Sequence, residues 1–225
     1  MNLTQISGST AYFASVIVLI LFALPSFIGS VKQSGPIRAL LLFVSLGLLI
    51  IGFETLAVKT GIPYGKFSYN SVLNFRLFGT TPWIVALSYP PIVIGAFWLA
   101  RKVSIGVLTP LFTAIFTTLT YAVLSPAMSK LTLWQWENPG PFFGVPIRSF
   151  IGWFVCAFIG AMIVNSIWGE SESRRISAYS WAAIVLFWSG VNLGIGNIII
   201  GFAGIGAYIF MLALFVLEKR NQNND

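Results

Sequence analysis

"LLLFVSLGLLIIGFETLAVKTGIPYGKFSYN", from Leu40 to Asn70, decides what kind of protein this is. Its first part, Leu40 to Phe53, is almost unbroken hydrocarbon. It then meets Glu54, the first carboxylate in the chain, and a loop set with Gly, Pro and Tyr. A bilayer core about 30 Å thick needs about 20 apolar helical residues, and only a structure that closes its own backbone hydrogen bonds can cross it. The stretch therefore reads as the end of one membrane helix running into a structured loop.

The rest of the chain repeats that pattern. Of its 225 residues, 57% are hydrophobic and 8% charged, a composition far from that of a water-soluble domain. Seven apolar runs qualify as spans: Thr10 to Gly29, Ile37 to Phe53, Pro82 to Ala100, Ile105 to Leu124, Phe150 to Trp168, Ser177 to Gly194 and Ile198 to Leu217. The expected fold is all-α, a polytopic membrane bundle of about seven helices forming one integral membrane domain over 1–225. No Ser-rich, Pro-rich or charged linker divides it.

The net charge of +7 does not indicate a nucleic-acid surface, because the basic residues are scattered singly or in pairs between apolar runs. Topology accounts for them. Lys32, Arg38, Arg101, Lys102, Arg174, Arg175, Lys219 and Arg220 fall in the short odd-numbered connections and the tail, which the positive-inside rule assigns to the cytoplasm. The N-terminus is then expected outside, with two longer loops, Glu54 to Thr81 and Ser125 to Ser149, on that same non-cytoplasmic face. The first run lacks the leading positive charge of a signal peptide.

Absent residue types narrow the chemistry. With no histidine in the chain, histidine-ligated metal or haem centres and Ser-His-Asp triads have no ligand or base. The only aspartate is Asp225, so an aspartate-rich Mg²⁺-diphosphate site has no material. No cofactor and no metal are expected. Cys156, the single cysteine, lies in an apolar run and reads as a buried small residue.

Most of the unusual residues gather in the two long loops. An ionised carboxylate at the position of Glu54 is expensive unless paired or wet, and a carboxylic acid kept protonated near neutral pH is a usable general acid. The plainer reading is a snorkelling glutamate paired with Lys59. Glu137 stands between Trp136 and the turn sequence Asn138-Pro139-Gly140-Pro141; it is either a solvated loop acid or the second carboxylate of a composite site. Trp134, Trp136, Phe142, Phe143 and Trp153 fit an interfacial aromatic belt or the wall of an apolar pocket able to stabilise a cation. Asn192 and Asn197 read as interhelical hydrogen-bonding groups, and "GESES" as a solvated turn.

Two motif blocks carry a resemblance. The first is Glu54 followed by Thr60-Gly61-x-Pro63-Tyr64-Gly65-x-Phe67-x-Tyr69. The second combines Pro126-x-Met128, Trp134-x-Trp136, Phe143-Gly144-Val145-Pro146 and Phe150-x-Gly152-Trp153. Together they resemble the CruF-type carotenoid 1,2-hydratases and related membrane carotenoid-biosynthesis proteins. The resemblance implies a hydro-lyase, free of redox cofactor and metal, that adds water to the terminal C=C of an acyclic carotenoid or related isoprenoid and forms a tertiary alcohol.

On that implication Glu54 protonates the alkene, Trp134 and Trp136 shield the cation, and Glu137, Tyr64 or Tyr69 holds the water. Thr60, Gly61, Pro63, Gly65, Phe67, Phe143 and Trp153 complete the substrate-binding set. The chain departs from the family pattern at Tyr121, Ser125 and Ser149, which stand where two aspartates and an asparagine are usual. A carotenoid- or lipid-binding protein without catalysis is the alternative that this departure favours. A small transporter is a third reading, with neither an evident repeat nor a run of intramembrane charges behind it.

Overall fold

The computed structural model describes residues 8–73, 75–169 and 174–222. Glu170 to Ser173 of the "GESES" turn, the side chains of Lys219 and Arg220, and Asp225 lie outside the described residues. Seven helices follow in order: α1 (Gly8–Ser34), α2 (Pro36–Thr60), α3 (Val85–Val103), α4 (Thr109–Lys130), α5 (Ile147–Trp168), α6 (Ile176–Gly194) and α7 (Ile198–Gln222). The turn between α1 and α2 is a single residue. Gly35 takes φ 84° and Pro36 opens the next helix, a place where its missing N–H costs nothing.

Six of the helices are long and apolar enough to cross a membrane, and α3 is not among them. Tyr89-Pro90-Pro91 and the terminal Arg101-Lys102 dilute its apolar character. The packing explains why that is tolerated: every residue from Tyr89 to Ala100 is buried, and α3 touches all six other helices. A helix wrapped in protein need not be compatible with lipid on its surface.

The end of α2 also differs from the sequence reading. The helix does not stop where the apolar run stops; it continues through Glu54 to Thr60, where Gly61, at φ 81°, caps it by donating its N–H to Ala57 O. Glu54 is thus an interior helix residue, buried to 3% exposure. Lys59 is exposed, and the two form no ion pair.

The two long loops are joined by backbone pairing. Strand β1 (Phe67–Tyr69) runs antiparallel to β4 (Trp134–Trp136), matching Phe67 with Trp136 and Tyr69 with Trp134. Alternation along a strand sends successive side chains to opposite faces, so the four aromatics point inward while Ser68 and Gln135 face out. A second small pair, β2 (Arg76–Leu77) with β3 (Thr81–Pro82), shapes the approach to α3.

Helices α1 and α6 close tightly around Ser26 and Gly29. There, Ser26 N–H donates to Ser180 Oγ (2.9 Å) and Ser26 Oγ donates to Ser177 O (3.2 Å), and a Cβ on Gly29 would overlap the Ser177 side chain. Small residues let the backbones approach. Toward the paired loops the facing side chains become large, with Phe22 edge-on to Phe187, and both rings line a cavity. At that end Trp83 Nε1–H donates to the Tyr12 hydroxyl (2.5 Å), tying α1 to the approach to α3. Asn192 links α6 to α4 as expected, through Nδ2–H to Val123 O (2.7 Å). Asn197 bonds back to Asn192 (3.0 Å).

Candidate active site

Glu54 has one close partner. The Tyr69 hydroxyl donates to its Oε2 at 2.7 Å. Tyr69 reaches it because β1 aims the ring inward, and the strand is held by its pairing with β4 and by Arg76, which donates to Tyr69 O (2.8 Å). Burial, and then the Glu54 charge, push the Tyr69 phenol well above its usual range, so it stays protonated and serves as donor.

Glu54 and Tyr69 stand in the wall of a cavity of about 380 Å³. Trp134, Trp153 and Tyr89 border it beside them. Its remaining walls are mostly apolar, from Ala14 to Phe22 on α1, Leu124 and Met128 on α4, and Ile184, Phe187 and Trp188 on α6, with Ser15 and Ser88 among them. Phe187, which lines the cavity, is 43% exposed. The arrangement is a largely apolar space whose carboxylic acid is Glu54.

A second aromatic layer backs the first. Phe67 packs on Trp136 (4.9 Å between centroids) and on Tyr69 (5.2 Å). Tyr121 stacks on Trp153 at 4.4 Å and 18°. Trp134, Trp136 and Trp153 are all buried, which excludes the belt reading for them. Trp136 does not border the cavity; it lies behind, over Gly65. Tyr64 is also buried behind the wall, its ring so close to Gly152 that a Cβ there would overlap it. Burial pushes its phenol well up as well.

Several predicted site residues serve the loop and do not face the cavity. Thr60 bonds its own helix at Leu56 O (2.7 Å) and is exposed. Gly61 caps α2, and its carbonyl accepts from Arg148 (2.9 Å), which clips the start of α5 to the end of α2. Pro63 follows a cis peptide bond, and Gly65 takes φ 101°. Phe143 is 44% exposed, away from the cavity.

Glu137 stands apart from Glu54 and does not line the cavity. It forms an ion pair with Lys66 at 3.0 Å, both side chains about half exposed (50% and 54%), on the outward side of the β1–β4 ribbon. Among the described residues no three His, Cys, Asp or Glu side chains gather where they could share a metal.

The structure adds residues that the sequence reading did not select. Tyr89 borders the cavity from α3, and Cys156 lies on α5 between the Tyr64 and Tyr89 hydroxyls. The departures at Tyr121, Ser125 and Ser149 are neighbours in space: the Tyr121 hydroxyl donates to Ser149 Oγ (3.1 Å), Ser125 lies beside it, and all three are buried. They form an uncharged cluster behind Trp153.

Fold and site together define a polytopic membrane bundle enclosing a lipophilic cavity with a carboxylic acid in its wall. The chain belongs to the carotenoid biosynthesis protein family, whose sequence model matches residues 12–213. It is similar to the bisanhydrobacterioruberin hydratase of Haloarcula japonica, 29% identical over 170 residues that cover 69% of this chain and 57% of that protein. The match thus spans little more than half of the relative's length. No solved structure matches the chain.

Proposed function

We propose that this protein hydrates the terminal C=C of an acyclic carotenoid. The observation that carries the reading is Glu54, a buried carboxylic acid oriented by Tyr69 in the wall of a largely apolar cavity. A volume of about 380 Å³ is at the lower end of small-ligand sites, roughly 300 to 1,000 Å³. It encloses one end group, and the polyene passes between α1 and α6 into lipid. By the positive-inside rule the loop end of the bundle, and the reacting end with it, lies on the non-cytoplasmic side, with the whole chain acting as one membrane unit.

In the reaction Tyr69 engages Oε2, leaving Oε1 to carry the proton. That proton passes to the less substituted alkene carbon, and the π pair becomes the new C–H bond. The tertiary cation is left against the faces of Trp134 and Trp153, which favour positive charge. A water oxygen forms the C–O bond, and the proton it sheds returns to the Glu54 carboxylate. The net change is alkene plus water to tertiary alcohol. General acid help is typically worth about 10² to 10⁴-fold.

Membranes containing the protein, given bisanhydrobacterioruberin or lycopene, are expected to yield a product heavier by one water. No mass gain with either pigment, or full activity in Glu54→Gln, sinks the proposal. A second reading, pigment binding without conversion, is favoured by the uncharged Tyr121–Ser125–Ser149 cluster. Its signature is a carotenoid that co-purifies unchanged.

A further inference from the structure

Hydration needs two separate deliveries, a proton and a water, and Tyr69 is already committed to the proton donor. We infer that the attacking water is bound by the hydroxyls of Tyr89 and Tyr64 above the Cys156 thiol. This inference rests on the hydratase reading.

On α5, Gly152, Cys156 and Gly160 form a stripe at four-residue spacing, hence on one face of the helix. The small side chains admit two tyrosines from other elements. Tyr64, from the loop after α2, lies on Gly152, and Tyr89, from α3, brings its hydroxyl to Gly160, 3.3 Å from where a Cβ would stand. Both hydroxyls face the thiol of Cys156 between these glycines, and a thiol is a weak hydrogen-bonding group.

Both tyrosines are 1% exposed, and among the described residues the weakly bonding Cys156 thiol is the polar group that either hydroxyl meets. Buried polar groups are normally paired, and each exception calls for an explanation. Two phenols satisfied only by one thiol, converging on it, supply the 2 to 4 polar contacts that a buried water requires. Tyr89 borders the cavity that Glu54 also borders, so a water held there adjoins the enclosed end group. The acid and the water are then held by different tyrosines, and each can be removed without the other.

If the water is not delivered, the cation has another exit. It loses a proton from the carbon that Glu54 has just protonated and returns to alkene. In D₂O that return leaves deuterium in recovered carotenoid, so the ratio of alcohol to labelled alkene reports water capture apart from proton transfer. The experiment uses the full chain in membranes with bisanhydrobacterioruberin and lycopene, comparing wild type, Tyr89→Phe and Tyr64→Phe, with thermal unfolding measured for each.

Removing a hydroxyl whose protein partner is only a weakly bonding thiol should leave the unfolding midpoint nearly unchanged. The expected result for Tyr89→Phe is that midpoint, a fall in alcohol of about ten- to a hundredfold, and persistent label in the alkene. Tyr64→Phe should shift the ratio in the same direction by less. A ratio in Tyr89→Phe equal to that of wild type overturns the inference, as does loss of both products with a lowered midpoint, which marks a structural role. Wild type that forms no alcohol overturns the hydratase reading itself.

Discussion

Glu54 and Glu137 are both glutamates beside aromatic, turn-rich loops, and the β1–β4 ribbon separates their fates. On its inner side Tyr69 turns to Glu54, which is buried and has no cationic partner among the described residues. On its outer side, one residue beyond each strand, Lys66 and Glu137 pair in water. An exposed pair of this kind contributes about 0 to 1 kcal/mol. A buried acid costs desolvation and is retained where chemistry uses it. The contrast teaches that the carboxylate to follow is the one the bundle could not leave in solvent, and that a two-residue period is enough to place one loop acid inside and the other outside.

The widest way to break the contrast is Glu54→Gln. Glutamine keeps the volume and can still accept from Tyr69, so the fold should survive while product formation falls by about 10² to 10⁴-fold, read by chromatography and mass analysis. Full turnover would mean the inner acid is idle. Next in size is Gly152→Ala, which sets a Cβ into the Tyr64 ring. Overpacking of this sort costs about 1 to 3 kcal/mol, so the midpoint of thermal unfolding in detergent should drop. An unchanged midpoint would show that the inner layer is looser than its contacts indicate.

Much of the fold was legible. The apolar runs located all seven helices to within several residues, because hydrocarbon length is a coarse quantity that composition reports well. The role of α3 was not legible: Tyr89-Pro90-Pro91 and Arg101-Lys102 look like ordinary interruptions of a span until the packing reveals a helix with protein on all sides. The position of Glu54 was half legible. The cost of an ionised carboxylate beside an apolar run could be read, but the loop was expected to begin at Glu54, and which way the acid faces depends on Tyr69, which is aimed by a strand pairing with a distant loop. Phe67-Ser68-Tyr69 and Trp134-Gln135-Trp136 each alternate, yet three residues are too few to establish a strand. Tyr89 and Cys156 carried no local signal, since each sits in an apolar run and gains meaning only from neighbours on other helices.

A smaller effect is expected at the hinge between the two sides. Tyr69→Phe keeps the ring in the ribbon and removes the hydrogen bond to Glu54. Its loss is worth on the order of 1 kcal/mol, so turnover should fall roughly five- to tenfold, whereas Ser68→Ala, on the outward face, should change nothing. Equal effects at the two positions would remove the distinction between the sides of the ribbon.

The smallest effect belongs to Glu137→Gln. If the outer pair is only an exposed ion pair, the variant should hydrate carotenoid as wild type does and lose less than about 1 kcal/mol of stability. That small difference should shrink further at high salt, because exposed charges are screened over about 10 Å at 0.1 M and about 3 Å at 1 M. Product analysis and unfolding at both ionic strengths test it together. Loss of hydration in Glu137→Gln would break the comparison at its root: the outer carboxylate would then have to reach the reacting end, and the ribbon that holds it outside would have to open during turnover.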